Sequence, residues 1–470
     1  MGKMNCVIVG AGPAGLSAAW KLSKLGHNVT VIEKGSETGG NSRTIWDNGF
    51  GFDLGPHNFH TPYLDILEYL KIIIGNTFLQ HQIKSSIYFR NKWVPYPLTG
   101  FKVFTSIPIH VAIACFFDFL ISRFRKHLSL HKEVRSFEDW VVQNFGRKLF
   151  NIYFKPYASK VWGIDMDELS KDVGEKRVPA LSLWKLALQV FGIVKSNHPE
   201  DPSTLNHYYP AHGIGTVCDQ FRKEIEEQGG VILLNSKIEK INVNGDRVSD
   251  VIVTGSATEI PCDLFFWTGP IYELTRLFKG SVDDSLIEIS KNLKYRAEHL
   301  LFIKINKKKV LPNPWVYFSS PDVPFTRMYE TGIFSSKMVP EGKTGLCLEF
   351  TCWKGDDLWN ASSEKLLQLA LPHLEGSGLL EAQDIIGHFS ERVEHAYPVY
   401  SVDYEKNISA IFNKMQDFKN VLSFGRLGMF SYANVDEAIR MGFKAADLAA
   451  LNLLDRGYSY LGVYQDYVLY

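Results

Sequence analysis

A glycine-rich turn close to the start of the chain constrains the fold more than any other stretch. Residues 6–9 (CVIV) form a short apolar run typical of a buried strand, and residues 29–32 predict a second strand that ends on Glu33. Between them a helix is predicted to begin at Pro13 and to end by Leu25. The turn before this helix has the spacing G-x-G-x-x-G, with glycines at Gly10, Gly12 and Gly15. This order of elements predicts an α/β protein that begins with a Rossmann-like unit.

Each part of this unit has a chemical use. The first glycine permits a tight turn, the second lets the backbone approach a pyrophosphate, and the third lets the helix pack close to the sheet. The pyrophosphate then lies at the helix N-terminus, where unpaired N–H groups favour an anion. Glu33 can accept hydrogen bonds from an adenosine ribose, and its charge argues against a 2′-phosphate. The turn therefore predicts a dinucleotide site, with chance glycines in an ordinary βαβ unit as the alternative.

The residues after the second strand indicate which dinucleotide binds. A glycine doublet is followed there by two polar residues, in the order Gly39, Gly40, Asn41 and Arg43. This arrangement resembles FAD-binding flavoproteins more than nicotinamide dehydrogenases. We therefore predict FAD as the cofactor.

Composition limits the other classes of function. The chain has 470 residues, more than one ordinary core holds, and 45% of them are hydrophobic. Lys plus Arg equal Asp plus Glu at 51 each, so the net charge gives no reason to expect nucleic acid and favours a small-molecule partner. The six cysteines show no zinc or redox spacing and are predicted to be buried thiols, without a metal, in a cytoplasmic protein.

The order of patterns along the chain predicts three domains. A discontinuous FAD-binding domain is predicted from residues 1–65, 205–270 and 390–470. Residues 66–204 are largely helical by period and are predicted to form an inserted substrate or lid domain, with a capping start at Ser136 and Asp139. Residues 271–389 predict a substrate domain built on an antiparallel β-sheet, and residues 231–253 predict a β-meander.

One apolar segment, residues 101–124, bears on membrane contact. It contains Lys102, Pro108, Asp118 and Arg123, which make it a poor spanning helix. A packed helix, with a half on each side of Pro108, is favoured. A membrane-surface helix is the alternative, since basic residues 123, 125 and 126 follow the apolar run.

Two histidines follow a sharp bend at Gly55 and Pro56. His57 and His60 could be structural residues that cap turns, but their place after a flavin-type fingerprint favours one of them facing the isoalloxazine ring.

Arg327 lies in a strand-like run, where a lone arginine would ordinarily be a solvated surface charge.

Seven motifs in one order resemble UDP-galactopyranose mutases, flavoenzymes that interconvert the pyranose and furanose forms of a nucleotide sugar. The resemblance spans most of the chain, and GPHNFHT and GRLGMFSY are not general flavoprotein features. The motifs are GGNS at Gly39, GPHNFHT at Gly55, FKPYASKVWG at Phe154, FFWTGP at Phe265, DVPFTRMYE at Asp322, YPV at Tyr397 and GRLGMFSYANVD at Gly425.

The resemblance implies a role for individual residues. It places His57 and His60 beside the isoalloxazine, and Arg327 on the substrate diphosphate, so these three are the catalytic candidates. The substrate-binding candidates are Tyr157, Trp162, Arg327, Tyr397 and Tyr432. The cofactor-binding candidates are Gly10, Gly12, Gly15, Glu33, Lys34, Gly40, Asn41, Gly55, Pro56, Ile238, Arg426, Asn434 and Val435. Covalent catalysis in such a reaction belongs to reduced FAD, while the protein orients the sugar and supplies electrostatics.

Three departures from the family pattern fall on substrate recognition. Leu181 stands where the family has a second arginine for the diphosphate, an apolar insertion covers residues 182–206, and Asn434 stands where the family has an acidic residue. We therefore predict a flavin-dependent nucleotide-sugar mutase. A flavin oxidoreductase of the amine-oxidase and protoporphyrinogen-oxidase type is the alternative, because KVWGIDMDELS also resembles that group. A non-catalytic flavin-binding or membrane-docking protein is a third hypothesis.

Overall fold

The computed structural model describes residues 2–81, 85–89, 92–96, 108–128, 133–177, 206–255 and 258–450. Within these ranges the chain forms a parallel sheet and a larger mixed sheet, with helices on and between them. The predictions on Leu181 and on most of the insertion at residues 182–206 lie outside the described residues.

The parallel sheet is built around the first strand of the chain. Its five strands pair in the order Val421–Ser423, Leu264–Trp267, Asn5–Val9, Asn28–Ile32 and Val231–Leu233. The runs CVIV and LFFW are almost wholly buried because helices cover both faces of such a sheet. The two strands predicted around the glycine turn are thus confirmed. Residues 231–233, predicted as part of a meander, instead join the edge of this sheet.

Three helices pack together beside the parallel sheet. They are Pro13–Lys24, Gly215–Glu227 and Val435–Ala450. The first and last cross closely, since a methyl group on Gly442 would lie 2.0 Å from Ser17 Oγ and 2.3 Å from the Ala14 carbonyl oxygen. This contact fixes the last helix of the described chain against the helix that follows the glycine turn.

The mixed sheet has seven strands. Its order is Ile385–Pro398, Tyr295–Ile305, Thr344–Cys352, Arg327–Glu330, Trp315–Phe318, Ser85–Phe89 and Lys92–Tyr96. All neighbours are antiparallel except Trp315–Phe318 with Ser85–Phe89. The antiparallel sheet predicted from residue 300 onward is thus confirmed. The predicted domain division stays a prediction, and the strand Ile385–Pro398 runs across its boundary at residue 390.

Smaller sheets connect these layers. The strands Ile238–Asn244, Arg247–Val253 and Glu259–Pro261 form an antiparallel meander, Thr44–Asp47 pairs with Phe50–Asp53, and Phe78–His81 pairs with His207–Pro210. Asp53 links the hairpin to its surroundings, because its buried carboxylate accepts from Thr44 Oγ1 at 2.6 Å and Tyr209 OH at 2.7 Å. Burial raises the pKa of Asp53 to about 6.

The described part of the chain has nine other helices of at least seven residues. They are Leu64–Ile74, Ile109–His127, Phe137–Phe145, Lys155–Trp162, Lys171–Arg177, Ile271–Leu277, Asp284–Ser290, Ser363–Gly376 and Tyr404–Met415. Ser136 and Asp139 form the predicted capping box. The helix Ile109–His127 begins directly after Pro108, and the half predicted before Pro108 falls on residues 101–107, outside the described residues. Among the described residues, none of the helices combines the length and apolarity that crossing a bilayer requires.

The core is continuous between the two sheets. One cluster of buried side chains contains Ile8 from the parallel sheet, Trp140 from the helices and Phe302 from the mixed sheet. A second cluster lies on the opposite face of the mixed sheet, around Leu301 and Phe350. All six cysteines are buried free thiols, as predicted.

Candidate functional site

The glycine turn leaves an open helix N-terminus at the carboxyl end of the first strand. Gly10 has φ +102°, and a methyl group on it would lie 2.2 Å from Thr268 Oγ1. A methyl group on Gly15 would lie 2.0 Å from the Gly10 carbonyl oxygen, so both positions require glycine. Gly12 differs, because the nearest atom to its added methyl group would be the Gly39 carbonyl oxygen at 4.0 Å.

No side chain caps the helix Pro13–Lys24, and its first turn carries no acidic residue. Its first N–H groups and the positive end of its dipole are therefore available to an anion. The space above Gly12 lets a pyrophosphate approach the backbone.

Glu33 lies beside this turn, as predicted. Its carboxylate accepts hydrogen bonds from the N–H groups of Ala11 and Gly35, both at 2.8 Å. These two bonds fix the side chain between the first and second strands, and an ionised carboxylate has further lone pairs for ribose hydroxyls. The residues of the turn thus fit the adenosine diphosphate half of a dinucleotide.

The glycine doublet ties the turn to a distant strand. Gly39 and Gly40 have φ +108° and +54°, and Asn41 Nδ2 then donates to the His395 carbonyl oxygen at 2.8 Å. Arg43 forms an ion pair with Glu391 on the same strand. Asn41 is therefore held by the mixed sheet, at the junction of the two layers.

Lys34 and Ile238 stay predictions as cofactor contacts. Lys34 is exposed directly after Glu33, and Ile238 begins the meander strand that follows a turn bonded to Glu33 and Gly35. Both lie on the adenosine side of the turn.

The bend at Gly55 places His57 beside an arginine and a glutamate. Gly55 has φ +117°, and a methyl group there would lie 3.4 Å from Glu349 Oε1, 3.9 Å from Arg327 Nη2 and 4.0 Å from His57 Cε1. Burial, followed by the nearby Arg327 and Arg426 cations, lowers the pKa of His57 to about 3. His57 is thus neutral, and its buried Nδ1 has no hydrogen-bond partner among the described residues. A buried ring nitrogen without a partner fits a ligand group at this position.

Arg327 is neutralised by Glu349, which the sequence analysis did not single out. Arg327 Nε and Nη2 each donate to the Glu349 carboxylate at 2.8 Å, and only 2% of the Glu349 side chain is exposed. This carboxylate occupies the side-on edge of the guanidinium. The end-on edge formed by Nη1 and Nη2 is the remaining edge that can bind a phosphate with two bonds.

A second buried carboxylate, Glu298, faces this pair from the adjacent strand. Glu298 is 4% exposed, and within the described part of the chain its Oε1 has no hydrogen-bond partner. Burial, followed by the charge of Glu349, raises the pKa of Glu298 to about 8, although the Arg327 cation and a hydrogen bond from Tyr397 oppose this shift. Glu298 is therefore protonated at neutral pH.

Tyrosines surround the end of Arg327. Tyr397 OH lies 3.5 Å from Arg327 Nη2, and the Tyr397 ring stacks on Tyr432 with centroids 5.2 Å apart. Tyr157 contacts Tyr317, which in turn lies against the Arg327 guanidinium at 5.9 Å. Burial raises the pKa of both Tyr157 and Tyr397 well above its usual range. These phenols are thus hydrogen-bond donors at neutral pH.

The guanidinium of Arg426 binds backbone carbonyl oxygens. Its guanidinium donates to the Ala396 carbonyl oxygen at 2.7 and 3.1 Å and to the Ala433 carbonyl oxygen at 2.8 Å, and it lies 4.2 Å from the Tyr432 ring centroid. These bonds join the end of the strand Ile385–Pro398 to the segment before the last helix. Arg426 therefore positions both stacked tyrosines.

The structure separates several predicted residues from this cluster. His60 stacks on His207 with centroids 4.6 Å apart and has Asp436 nearby, which gives it different surroundings from His57. Trp162, by contrast, stays next to the cluster, because its buried ring lies 6.4 Å from the Tyr397 ring and 6.5 Å from the Tyr400 ring, centroid to centroid. Asn434 is exposed, whereas Val435 is buried at the first turn of the last helix. Their predicted roles stay predictions.

Lys160 is another residue that the sequence analysis did not identify. Its Nζ donates to four carbonyl oxygens, those of residues 318, 320, 323 and 325, at 2.7 to 3.1 Å. It thereby holds the loop that leads into the strand of Arg327. The signal in the sequence is its place within FKPYASKVWG, three residues after Tyr157. In the described part of the chain, no group of three or more His, Cys, Asp or Glu residues could hold a metal ion.

The fold and the site define a dinucleotide-binding α/β protein of the flavoprotein type. A family model described as an NAD(P)-binding Rossmann-like domain matches residues 8–73, which include the glycine turn and Glu33. The predicted fold class is thus confirmed.

Within this class, the chain is similar over its whole length to UDP-galactopyranose mutases, as the motifs predicted. It is 24% identical over 460 residues to a probable UDP-galactopyranose mutase of Klebsiella pneumoniae, with 95% of each chain covered. The crystal structure of a reduced UDP-galactopyranose mutase superimposes with a TM-score of 0.82 at 22% identity, covering 100% of this chain and 98% of that one.

The wider flavoprotein relationship is also present. Protoporphyrinogen oxidase 2 of Arabidopsis thaliana is 23% identical over 486 residues, with 94% of this chain and 92% of the relative covered. Together with the glycine turn, these relatives support FAD as the cofactor, as predicted. They support a flavin-dependent, mutase-like enzyme.

Proposed function

We propose that the protein interconverts the pyranose and furanose forms of a nucleoside-diphosphate sugar bound next to reduced FAD. The observation that carries this proposal is the whole-length likeness to UDP-galactopyranose mutases, combined with Arg327, Tyr157, Tyr397 and Tyr432 in one cluster with His57. When bound in its reduced form, FAD supplies the nucleophile for the anomeric carbon. The adenosine half would be held by the glycine turn and Glu33.

Arg327 would bind the substrate diphosphate through its end-on edge. Glu349 fixes the guanidinium plane through two hydrogen bonds, so little orientational freedom is lost when the anion arrives. A charge-assisted bond of this kind contributes about 1.5–3 kcal/mol. Glu349 also lowers the net charge of the site, which makes binding of the anion weaker than at an unpaired arginine.

The tyrosines and Glu298 would add neutral donors. Tyr157 and Tyr397 stay protonated because burial raises the pKa of each. Protonated Glu298 next to Tyr397 keeps a second negative charge away from the diphosphate. His57 is neutral, with its unpartnered Nδ1 left for a cofactor or sugar oxygen or nitrogen.

No cysteine offers a competing protein nucleophile. All six thiols are buried. Burial raises the pKa of Cys347, the cysteine beside Glu349 and Arg327, well above its usual range. Nucleophilic chemistry is therefore left to the cofactor.

The deciding experiment compares the reduced and oxidised holoprotein with a panel of nucleotide sugars, followed by NMR. Isomerisation by the dithionite-reduced protein, and none by the oxidised protein, is the expected result. Reduction of the oxidised flavin by a substrate, without isomerisation, would contradict the proposed mutase activity.

The second candidate is a flavin oxidoreductase. The whole-length similarity to protoporphyrinogen oxidase 2 favours it, as does the pairing of Arg327 with Glu349, which makes this site less cationic than Arg327 alone would. In that case flavin reduction by a substrate is expected in the same experiment.

A further inference from the structure

A continuous apolar stripe covers one side of the helix Ile109–His127 and includes Leu128, the residue directly after the helix. The exposed fractions of its eight large apolar side chains lie between 44% and 73%. Exposed apolar residues scattered singly are ordinary, but a contiguous row of this length marks an interaction surface. The apolar stripe consists of Ile109, Ile113, Phe116, Phe117, Leu120, Ile121, Phe124 and Leu128.

The stripe follows the helical repeat. At 3.6 residues per turn its members fall within an arc of about 140°, along a helix of about 28 Å. The opposite face is anchored, since Ala112 and Cys115 are buried against Phe89, and Asp118 Oδ2 accepts from the Lys148 N–H at 2.7 Å. The helix is thus fixed by one face and presents the other outward.

Basic residues border the stripe. Arg123, Arg125 and Lys126 are exposed, and at 100° per residue Arg123 and Arg125 fall at opposite edges of the arc. Asp118 is the single acidic residue of the helix, and it faces inward to the Lys148 amide. Apart from His110 in its first turn, the exposed side of the helix is therefore apolar in the middle, and it is cationic at its borders in the last two turns.

This combination identifies the partner by its chemistry. Protein interfaces carry about one hydrogen bond per 100–200 Å². Between residues 113 and 124 the side-chain nitrogen and oxygen atoms belong to Asp118, Ser122 and Arg123, and these three residues lie outside the arc of the stripe. A lipid surface needs no such bonds, and basic residues beside the stripe fit anionic headgroups. We propose that the apolar stripe seats the protein on an anionic phospholipid bilayer, with the helix parallel to the membrane plane.

The proposal concerns the location of the protein at a membrane surface and does not depend on which reaction the protein catalyses. The apolar side chains would enter the boundary between headgroups and acyl chains, while Arg123 and Arg125 would extend to the phosphates.

Co-sedimentation of the full-length holoprotein with vesicles tests the proposal. We expect binding to vesicles that contain phosphatidylglycerol and weaker binding to pure phosphatidylcholine. The variant Phe117→Ser/Leu120→Ser/Phe124→Ser should lower the bound fraction by at least about tenfold. The matched control is Leu64→Ser/Ile72→Ser, since these residues are 70% and 80% exposed on another helix. It should bind as the wild type does.

Two further experiments test the role of the basic residues and the depth to which the stripe enters the bilayer. Arg123→Glu/Arg125→Glu should remove the preference for anionic vesicles while the flavin content stays unchanged. Phe124→Trp should show fluorescence quenching by brominated lipid that the wild type and Ile72→Trp do not show. The quenching measurement does not depend on a variant that binds the membrane less well.

Three results would overturn the proposal. They are failure of the wild type to bind either kind of vesicle, binding that the triple serine variant leaves intact, and self-association in solution that this variant abolishes. The last result would assign the stripe to a second copy of the chain.

Discussion

Glu298 is the residue whose surroundings depart furthest from those of an ordinary carboxylate. It pairs across the mixed sheet with Thr351 on one side and Val393 on the other. The groups that interact electrostatically with it are Arg296 on its own strand and, from other elements, Glu349, Arg327, Tyr397, Arg426, Cys347 and Cys352. The folded protein can hold Glu298 in this position at neutral pH because the carboxyl group keeps its proton.

The first prediction concerns Glu298 and pH. The pKa of Glu298 rises from 4.5 to about 8 on folding, so between these values the folded chain holds a proton that the unfolded chain has released. Stability from this group therefore falls as pH rises through that window. Glu298→Gln, which cannot ionise, should lack this fall in urea denaturation across the pH series. Glu259→Gln, at an exposed carboxylate, is the control, and parallel curves for Glu298→Gln and wild type would contradict the prediction.

The second prediction separates the structural and binding roles of Arg327. Arg327→Ala leaves Glu349 buried without its cation, and should lower the free energy of unfolding by about 3–5 kcal/mol. Arg327→Ala/Glu349→Ala removes both charges and should recover part of this loss. It should still raise KM for a nucleotide sugar by about tenfold or more, because the phosphate partner is absent. Loss of flavin from the double variant would make Arg327 a structural residue.

The third prediction uses two neighbouring glycines as mutual controls. Gly15→Ala would place a methyl group 2.0 Å from the Gly10 carbonyl oxygen, so the apoprotein should unfold at a lower temperature. Gly12→Ala meets no atom closer than 4.0 Å, so the apoprotein should keep its Tm and yet lose FAD, since the methyl group occupies the approach to the pyrophosphate. Normal flavin content in Gly12→Ala would place the pyrophosphate elsewhere.

At the scale of elements, the loop before the strand Arg327–Glu330 depends on a helix distant in sequence. Lys160 binds four of its carbonyl oxygens, and burial lowers the pKa of Lys160 to about 8. The Ser320 carbonyl oxygen also accepts from the Val323 N–H at 3.3 Å, but removal of the amine takes one donor from each of the four acceptors.

The fourth prediction follows from this contact. Lys160→Met should lower the free energy of unfolding by about 1–3 kcal/mol and speed hydrogen exchange in residues 319–325. Lys155→Met changes an exposed lysine on the same helix and should do neither. Unchanged exchange in residues 319–325 would show that the strands hold the loop without Lys160.

Elements whose signal is local could be predicted from the sequence. The turn at Gly10, the helix after Pro13 and the capping box at Ser136 are each set by neighbouring residues, and the structure has all three. Residues 231–233 were assigned to a meander because an apolar run does not show whether its partner strand is near or distant in sequence.

The electrostatic partners of the site could not be predicted in the same way. Glu349 and Glu298 lie in strands that read as buried apolar runs, and a single sequence does not give the register that sets Glu349 opposite Arg327. His57 and His60 are three residues apart, yet the cations of Arg327 and Arg426 act on His57, whereas Asp436 acts on His60, and the β-bridge of Phe59 to Tyr208 lies between the two histidines.

At the scale of the molecule, both sheets share one buried cluster. It runs from Ile8 through Trp140 to Phe302, so no solvent layer separates the parallel sheet from the mixed sheet. The fifth prediction is that the holoprotein unfolds in one transition, with flavin release and loss of far-ultraviolet dichroism at the same temperature. Added FAD should raise that temperature by mass action. Two separated transitions would show that the predicted domains unfold independently.

The bonds from Asn41 to the His395 carbonyl and from Arg43 to Glu391 join the glycine doublet to a strand near the other end of the described chain. The strand Val421–Ser423 likewise joins the sheet next to residues 264–267, long after the first strand has formed. A ribosome makes these segments long after it has made the glycine turn. The nascent chain therefore exposes its glycine turn before the turn has these neighbours, and loading with cofactor becomes an event that follows translation of the strands Ile385–Pro398 and Val421–Ser423.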